Sequence, residues 1–214
     1  MSVPFGQRFC LSRLLLGVEC VGLQIVTYPH PTLRHDSKAI KRVDSDLRAI
    51  VREMFELMYE ARGVGLAANQ VGLPIRLFVA NLESDADASE ELVFINPVIS
   101  RPKGSEESDE GCLSLPDLYG PVKRPKNVRI NAYGLDGREI VSDLEGLFSR
   151  VAQHETDHLD GVLFVDRMSE TARAEAEETL GEFEADFLSK RSTGEIDEDE
   201  TIAARLAEWE ARYC

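Results

Sequence analysis

The sequence contains few cysteines and no long apolar run. The four cysteines of the 214-residue chain form no CxxC pair, and three of them lie near the termini. They do not indicate a disulfide framework, so a reducing cytoplasm fits the chain better. No apolar run approaches the roughly 20 residues that a membrane-spanning helix needs. The best candidate, residues 14–26, is interrupted by Glu19 and Gln24. We therefore expect a cytoplasmic protein without a membrane span.

Basic residues are also scarce. The chain has 24 Lys and Arg against 39 Asp and Glu, which gives a formal net charge of −15. Residues 169–214 alone hold 14 acidic and 5 basic side chains, so the acidity is concentrated in the C-terminal tail. Because nucleic-acid phosphates repel such a chain, we expect no direct binding of DNA or RNA.

The rest of the composition is that of a globular protein, with 43% hydrophobic and 29% charged residues. The length favours one domain of roughly 150 residues. We place this domain at residues 23–168, between an N-terminal extension (residues 1–22), expected to be loose or disordered, and an acidic helical tail (residues 169–214). The extension contains Arg8 and Arg13 before its first acid and faintly resembles a targeting peptide, but it has no small-residue cleavage site.

Hydrophobic periodicity predicts the main elements. Asp44 can cap a helix whose apolar residues recur every three or four positions before Gly63, and Asp143 can cap a second helix that starts with Leu144. Segment 23–27 looks extended, and strand-like runs follow at residues 76–80, 92–95, 127–132 and 139–141. Residues 170–188 and 200–213 read as tail helices. The chain therefore predicts an α+β fold with a mostly antiparallel sheet packed around a central metal-binding helix.

The metal-binding prediction comes from the sequence His154-Glu155-Thr156-Asp157-His158. On a helix this H-E-x-x-H spacing places both imidazoles on one face, where they can bind a divalent metal, and Glu155 can act as the general base toward an attacking water. The alternative is that the H-E-x-x-H sequence matches by chance and lies on an ordinary amphipathic helix without a metal.

The third ligand distinguishes the classes of H-E-x-x-H protein. A third histidine six residues after His158 is excluded because Phe164 stands there, and a downstream glutamate, Glu177 or Glu178, falls in a stretch that looks like a solvated helix. Cys112, the one cysteine inside the predicted core, is the preferred ligand and would complete an open three-ligand site. Its alternative is an inert buried thiol.

Three segments together resemble the peptide deformylase family: residues 63–70 (GVGLAANQ), 110–114 (EGCLS) and 153–161 (QHETDHLDG). Tyr28-Pro29, Ile95-Asn96-Pro97 and residues 122–125 also look like family positions, so the resemblance runs from about residue 23 to Met168. It implies that residues 23–168 form a deformylase catalytic domain, which removes the N-formyl group from N-formylmethionine at the start of nascent polypeptides near the ribosome and releases formate.

The resemblance also implies roles for particular residues. The metal ligands are Cys112, His154 and His158, the general base is Glu155, and the oxyanion donors are the Gln70 side-chain amide and the Leu113 backbone N–H. The expected substrate contacts are Gly63, Val64, Gly65, Gly111, Leu147 and Val151. Of these, Val64, Leu147 and Val151 would line an apolar methionine pocket, and Gly63 and Gly65 would let a peptide backbone lie alongside.

The ligand set does not by itself identify the metal. One Cys and two His suit Zn²⁺, whereas the family resemblance favours Fe²⁺, with Ni²⁺ or Co²⁺ as replacements. Two other functions stay open: a peptidase that cleaves internal peptide bonds, and a binding module with a closed structural zinc site.

Overall fold

The computed structural model describes residues 22–85, 87 and 90–214. The predicted N-terminal extension, apart from Gly22, lies outside these residues. The helices are α1 (Ser45–Glu60), α2 (Gly146–Leu159), α3 (Glu170–Ser192) and α4 (Asp199–Tyr213). The strands are β1 (Gly65–Ala67), β2 (Leu77–Ala80), β3 (Leu92–Lys103), β4 (Glu106–Cys112), β5 (Leu115–Arg124), β6 (Asn127–Tyr133) and β7 (Glu139–Glu145).

Helix α1 forms where the periodicity predicts it. The Asp44 carboxylate accepts a hydrogen bond from the Leu47 backbone N–H at 2.8 Å, which satisfies one of the amides left free at a helix start. The apolar stripe of the helix is buried against β1 and β2 and consists of Leu47, Val51, Met54, Phe55 and Met58.

The strands form two antiparallel sheets. Five of them pair in the order β1-β2-β3-β6-β7, which leaves β1 at one edge, and β4 and β5 form a separate hairpin. The predicted α+β class with a mostly antiparallel sheet is confirmed. Strand β3 runs eight residues past the predicted end at Ile95, and β4 and β5 were not predicted at all. Residues 23–27 are not part of either sheet.

The predicted start of the second helix is wrong. Asp143 does not cap it, because β7 continues to Glu145 and both Asp143 and Leu144 lie in that strand. The Asp143 carboxylate instead pairs across the ladder with Arg129 on β6, which is directly opposite. Helix α2 begins at Gly146.

Helix α2 lies across the five-stranded sheet and contacts β1, β2, β3, β6 and β7. Its apolar side chains Val151, Ala152 and Leu159 join a core cluster with Phe78 and Ile130 of the sheet. Burial of this face fixes the rotation of the helix, so that His154 and His158 point toward the β4–β5 hairpin.

The tail is helical, as predicted, and both of its helices pack on the rest of the chain. Leu180 of α3 is buried in a cluster with Leu33 and Leu115, and Tyr213 of α4 is only 1% exposed in the cluster that contains Met58 of α1. None of the helices in the described part of the chain is both long and apolar enough to cross a bilayer.

Candidate metal centre and active site

Cys112, His154 and His158 meet where β4 ends beside α2. One ligand atom from each lies within 4.8 Å of the others, and the Cys112 Sγ is 3.2 Å from His158 Nε2. A soft thiolate and two imidazoles are a suitable donor set for a divalent transition metal. The Ser114 backbone N–H donates a hydrogen bond to the Cys112 sulfur at 3.4 Å, which helps to fix the position of this side chain. The three residues fit a metal centre with one side open.

The two histidines differ in what supports them. His154 Nδ1 is 3.0 Å from Glu110 Oε2, whereas the buried Nδ1 of His158 has no hydrogen-bond partner. Burial would raise the pKa of Glu110, but the hydrogen bonds from His154 and Arg124 outweigh it and lower that pKa to about 2. Glu110 is therefore an ionised acceptor that can hold the His154 ring with Nε2 free for a metal.

Glu155 lies beside the triad on α2. Its side chain is 4% exposed, and its Oε2 atom has no hydrogen-bond partner. Burial raises the pKa of Glu155 to about 7, because it outweighs the charges of His154 and Arg124, which lower this pKa. A carboxyl group with a pKa near neutrality can both accept and release a proton, which is the requirement for a general acid–base residue.

Gln70 stands in a short 3-10 helix, Ala68–Val71, that follows β1. Its Oε1 accepts a hydrogen bond from the Ala67 N–H at 2.8 Å, which fixes the amide so that Nε2 faces Ser114 Oγ at 3.2 Å and Cys112 Sγ at 3.5 Å. The side-chain N–H donors of Gln70 thus lie next to the metal ligands. Leu113 follows Cys112 directly and lines the same cleft.

A cleft of about 690 Å³ opens over these residues, between β1, the β4–β5 hairpin and α2. All of the predicted site residues except His158 line it. His158 is 1% exposed and forms the rear of the site. Leu147 stands at the mouth with 56% exposure, while Val151 is 6% exposed deeper inside.

The structure adds a packing reason for two of the glycines. A Cβ built on Gly65 would lie 2.5 Å from Glu155 Oε1, and one on Gly63 would lie 2.7 Å from Leu113 Cδ1. Both distances are too short for real contacts. These glycines therefore let Glu155 approach Gly65 of β1 and let Leu113, which follows Cys112, approach Gly63 just before that strand.

Sequence reasoning missed the residues that surround the metal ligands. Glu110 and Asp157 fall inside the quoted motifs, yet neither was given a role, and Arg124 was seen only as part of a family-like segment. Arg150 and Tyr119, which line the cleft together with Glu110, were not predicted either. The signal in the sequence was the position of two acids next to the metal ligands: Glu110, two residues before Cys112, and Asp157, one residue before His158.

The fold and the site together define the class of protein. A Cys-His-His cluster beside a buried glutamate, at the base of an open cleft of about 690 Å³, is the arrangement of a metal-dependent hydrolase.

Comparison with known proteins agrees with this class. Residues 23–174 match the family described as polypeptide deformylase. A peptide deformylase of Rhodopirellula baltica is 53% identical over 191 residues, which cover 89% of this chain and 95% of that protein. The chloroplastic peptide deformylase 1B of Oryza sativa is 43% identical over 173 residues, 80% of this chain and 64% of that one. The crystal structure of a plant peptide deformylase PDF1B superposes with a TM-score of 0.77 at 39% identity, covering 81% of this chain and 94% of that chain.

The chain belongs to the polypeptide deformylase family and is a metal-dependent deformylase. The family resemblance predicted from the three motifs is confirmed.

Proposed function

We propose that this chain hydrolyses the formamide of N-formylmethionyl peptides with Glu155 as general base and with Cys112, His154 and His158 as metal ligands. The observation that carries the proposal is the convergence of the three ligand atoms within 4.8 Å at the base of the cleft, directly beside the buried Glu155. A formamide is a poor electrophile, and a divalent metal in this position would polarise its oxygen and acidify water.

Glu155 has the two proton-transfer tasks in this proposal. It takes a proton from the attacking water and later delivers it to the leaving amine, so that formate and a free N-terminus result. The Gln70 side-chain amide and the Leu113 backbone N–H donate hydrogen bonds to the oxyanion that forms at the former carbonyl. Support for Gln70 comes from its fixed amide, whose donors lie beside the sulfur ligand.

The substrate peptide binds along β1. This strand is at the edge of the five-stranded sheet and pairs only with β2 there, so a peptide can extend the sheet from its cleft side by backbone hydrogen bonds. The methionine side chain then enters the apolar part of the cleft formed by Val64, Leu147 and Val151. Gly63, Gly65 and Gly111 complete the walls near the scissile bond.

Fe²⁺ is the proposed physiological metal, with Zn²⁺, Ni²⁺ and Co²⁺ as ions that the same donors accept. The experiment that tests reaction and metal together is anaerobic purification, metal quantification and measurement of formate release from a formyl-Met peptide. We expect one metal ion per chain, mostly iron, and stoichiometric formate. Chelation should stop the reaction while the far-UV circular dichroism persists.

Two results of this experiment would contradict the proposal. Cleavage of internal peptide bonds without formate release would indicate a peptidase. Loss of the fold on chelation, with no formate release before it, would indicate a structural zinc site.

We also propose that the enzyme acts in the cytoplasm on nascent chains near the ribosome, without docking on RNA. The net charge of −15 supports the second point, because phosphates repel an acidic chain. Co-sedimentation with ribosomes over a range of salt concentrations tests it. Binding that weakens steeply as salt rises would reveal phosphate contacts and refute this part of the proposal.

A further inference from the structure

A buried ion-pair network connects the two chain segments that carry the metal ligands. Its centre is Arg124, at the end of β5, which is only 4% exposed. The Arg124 guanidinium donates to both carboxylate oxygens of Glu110, from Nε to Oε1 at 2.7 Å and from Nη2 to Oε2 at 2.9 Å. Its remaining nitrogen, Nη1, donates to Asp157 Oδ2 at 2.6 Å.

The two partners of Arg124 lie on different elements. Glu110 is on β4, two residues before Cys112, and Asp157 is on α2, between His154 and His158. The planar guanidinium therefore ties the strand that supplies the thiolate to the helix that supplies both imidazoles. Such a bidentate contact fixes orientation as well as distance.

The network reaches one ligand directly through Glu110. Since Glu110 Oε2 is 3.0 Å from His154 Nδ1, the position of the carboxylate sets the orientation of that ring. Arg150 also donates to Glu110, and Arg167 donates to Asp157 from the outer side, so each carboxylate is held by two guanidiniums.

We propose that Arg124 is a positioning residue that holds the ligand triad in its metal-binding geometry before metal arrives, acting on His154 through Glu110 and on α2 through Asp157. Arg124 does not line the substrate cleft. Its effect should therefore appear in metal affinity and in kcat, and not in KM. The inference rests on the proposed metal site.

The test compares Arg124→Lys with a matched control. Lysine keeps the positive charge but cannot make the bidentate hydrogen bonds of a guanidinium. The substitution therefore tests the geometry of these contacts while Glu110 and Asp157 still face a cation. Arg129→Lys is the control, because Arg129 makes a similar two-oxygen contact to Asp143 on the exposed face of the sheet. The probe is Co²⁺, whose affinity is measured by competition with a chromophoric chelator and whose visible absorption reports ligand geometry.

We expect Arg124→Lys to weaken Co²⁺ binding by about tenfold or more and to change the Co²⁺ spectrum. We also expect kcat to fall by about tenfold or more while KM for a formyl-Met peptide stays within about twofold. Arg129→Lys should match the wild type in all four measurements. Because Co²⁺ binding is measured without substrate, a wild type that failed to release formate would refute the proposed function and leave this test intact.

If Arg124 only stabilises the fold, the measurements give a different pattern. The apoprotein of Arg124→Lys would then unfold at a lower denaturant concentration than the wild-type apoprotein, yet its folded form would bind Co²⁺ with wild-type affinity and spectrum. That result overturns the proposal. If Arg124→Lys does not fold, Asp157→Asn decides, because it nearly conserves volume and leaves the contact between Glu110 and Arg124 in place. Weaker Co²⁺ binding by Asp157→Asn supports the proposal, and wild-type affinity refutes it.

Discussion

Gly65 lies against Glu155, the proposed general base, and its replacement by alanine gives a quantitative test of how closely that carboxylate must be placed. An added Cβ would lie 2.5 Å from Glu155 Oε1 and 2.9 Å from Cδ, whereas ordinary contacts begin at 3.4 Å. The carboxylate would have to retreat by about 0.9 Å. The backbone of Gly65 does not have a positive φ, so alanine itself is not strained there.

A displacement of about 1 Å at a catalytic group can cost roughly 10²-fold in rate. We therefore expect Gly65→Ala to lose about 10²-fold in kcat for formate release while it keeps its metal, since the three atoms nearest the new methyl group all belong to Glu155. Metal content and steady-state kinetics measure the two effects separately. Gly181→Ala is the control: an added Cβ meets nothing within 4 Å on α3, and the rate should not change.

Two outcomes would refute this reasoning. A kcat within a few-fold of wild type would show that Glu155 tolerates the displacement. A raised KM with unchanged kcat would show instead that Gly65 serves to admit the substrate backbone, the role that the sequence analysis gave it.

Three further predictions concern the metal, the tail and the pH dependence of stability. Cys112→Ser replaces a thiolate by a poor neutral ligand, so metal content and activity should fall together; elemental analysis that shows full metal in the variant would contradict the assignment. Tyr213→Ala removes a side chain that is 1% exposed, so it should lower the free energy of unfolding, measured by denaturant titration, by about 3 to 5 kcal/mol. The kcat of this variant should stay within a few-fold of wild type, because α4 does not line the cleft. Burial, and to a smaller extent the positive charge of Arg191, lowers the pKa of His30 to about 4. As the pH falls from 6.5 toward 4, His30 therefore becomes protonated in the unfolded chain while it stays neutral in the folded one. Stability should decline over that window, and His30→Asn, which keeps an acceptor for the Thr32 N–H, should decline less; equal slopes would refute the role of His30.

The histidine pair of the site was predictable because His154 and His158 are close in sequence. The H-E-x-x-H spacing needs only a helix to bring His154 and His158 together, and α1 follows from its own apolar stripe and from Asp44. Local patterns of this kind are read directly from the chain.

The unpredicted parts depend on contacts between distant segments. Strand β4 begins with four exposed residues, 106–109, so it shows no alternation of apolar and polar positions. Asp143 looks like a helix cap until Arg129 is placed opposite it by the β6–β7 ladder. Arg124 is the clearest case, since a buried arginine is stable only with partners, and Glu110 and Asp157 come from two other elements.

The measurement that tests the account most directly is the rate of formate release by Glu155→Gln together with its metal content. Glutamine keeps the size of the side chain but cannot take a proton from water. We predict that the variant retains one metal ion per chain and loses roughly 10²- to 10⁴-fold in kcat. Near-native turnover by a metal-loaded Glu155→Gln enzyme would contradict the assignment of Glu155 as the general base.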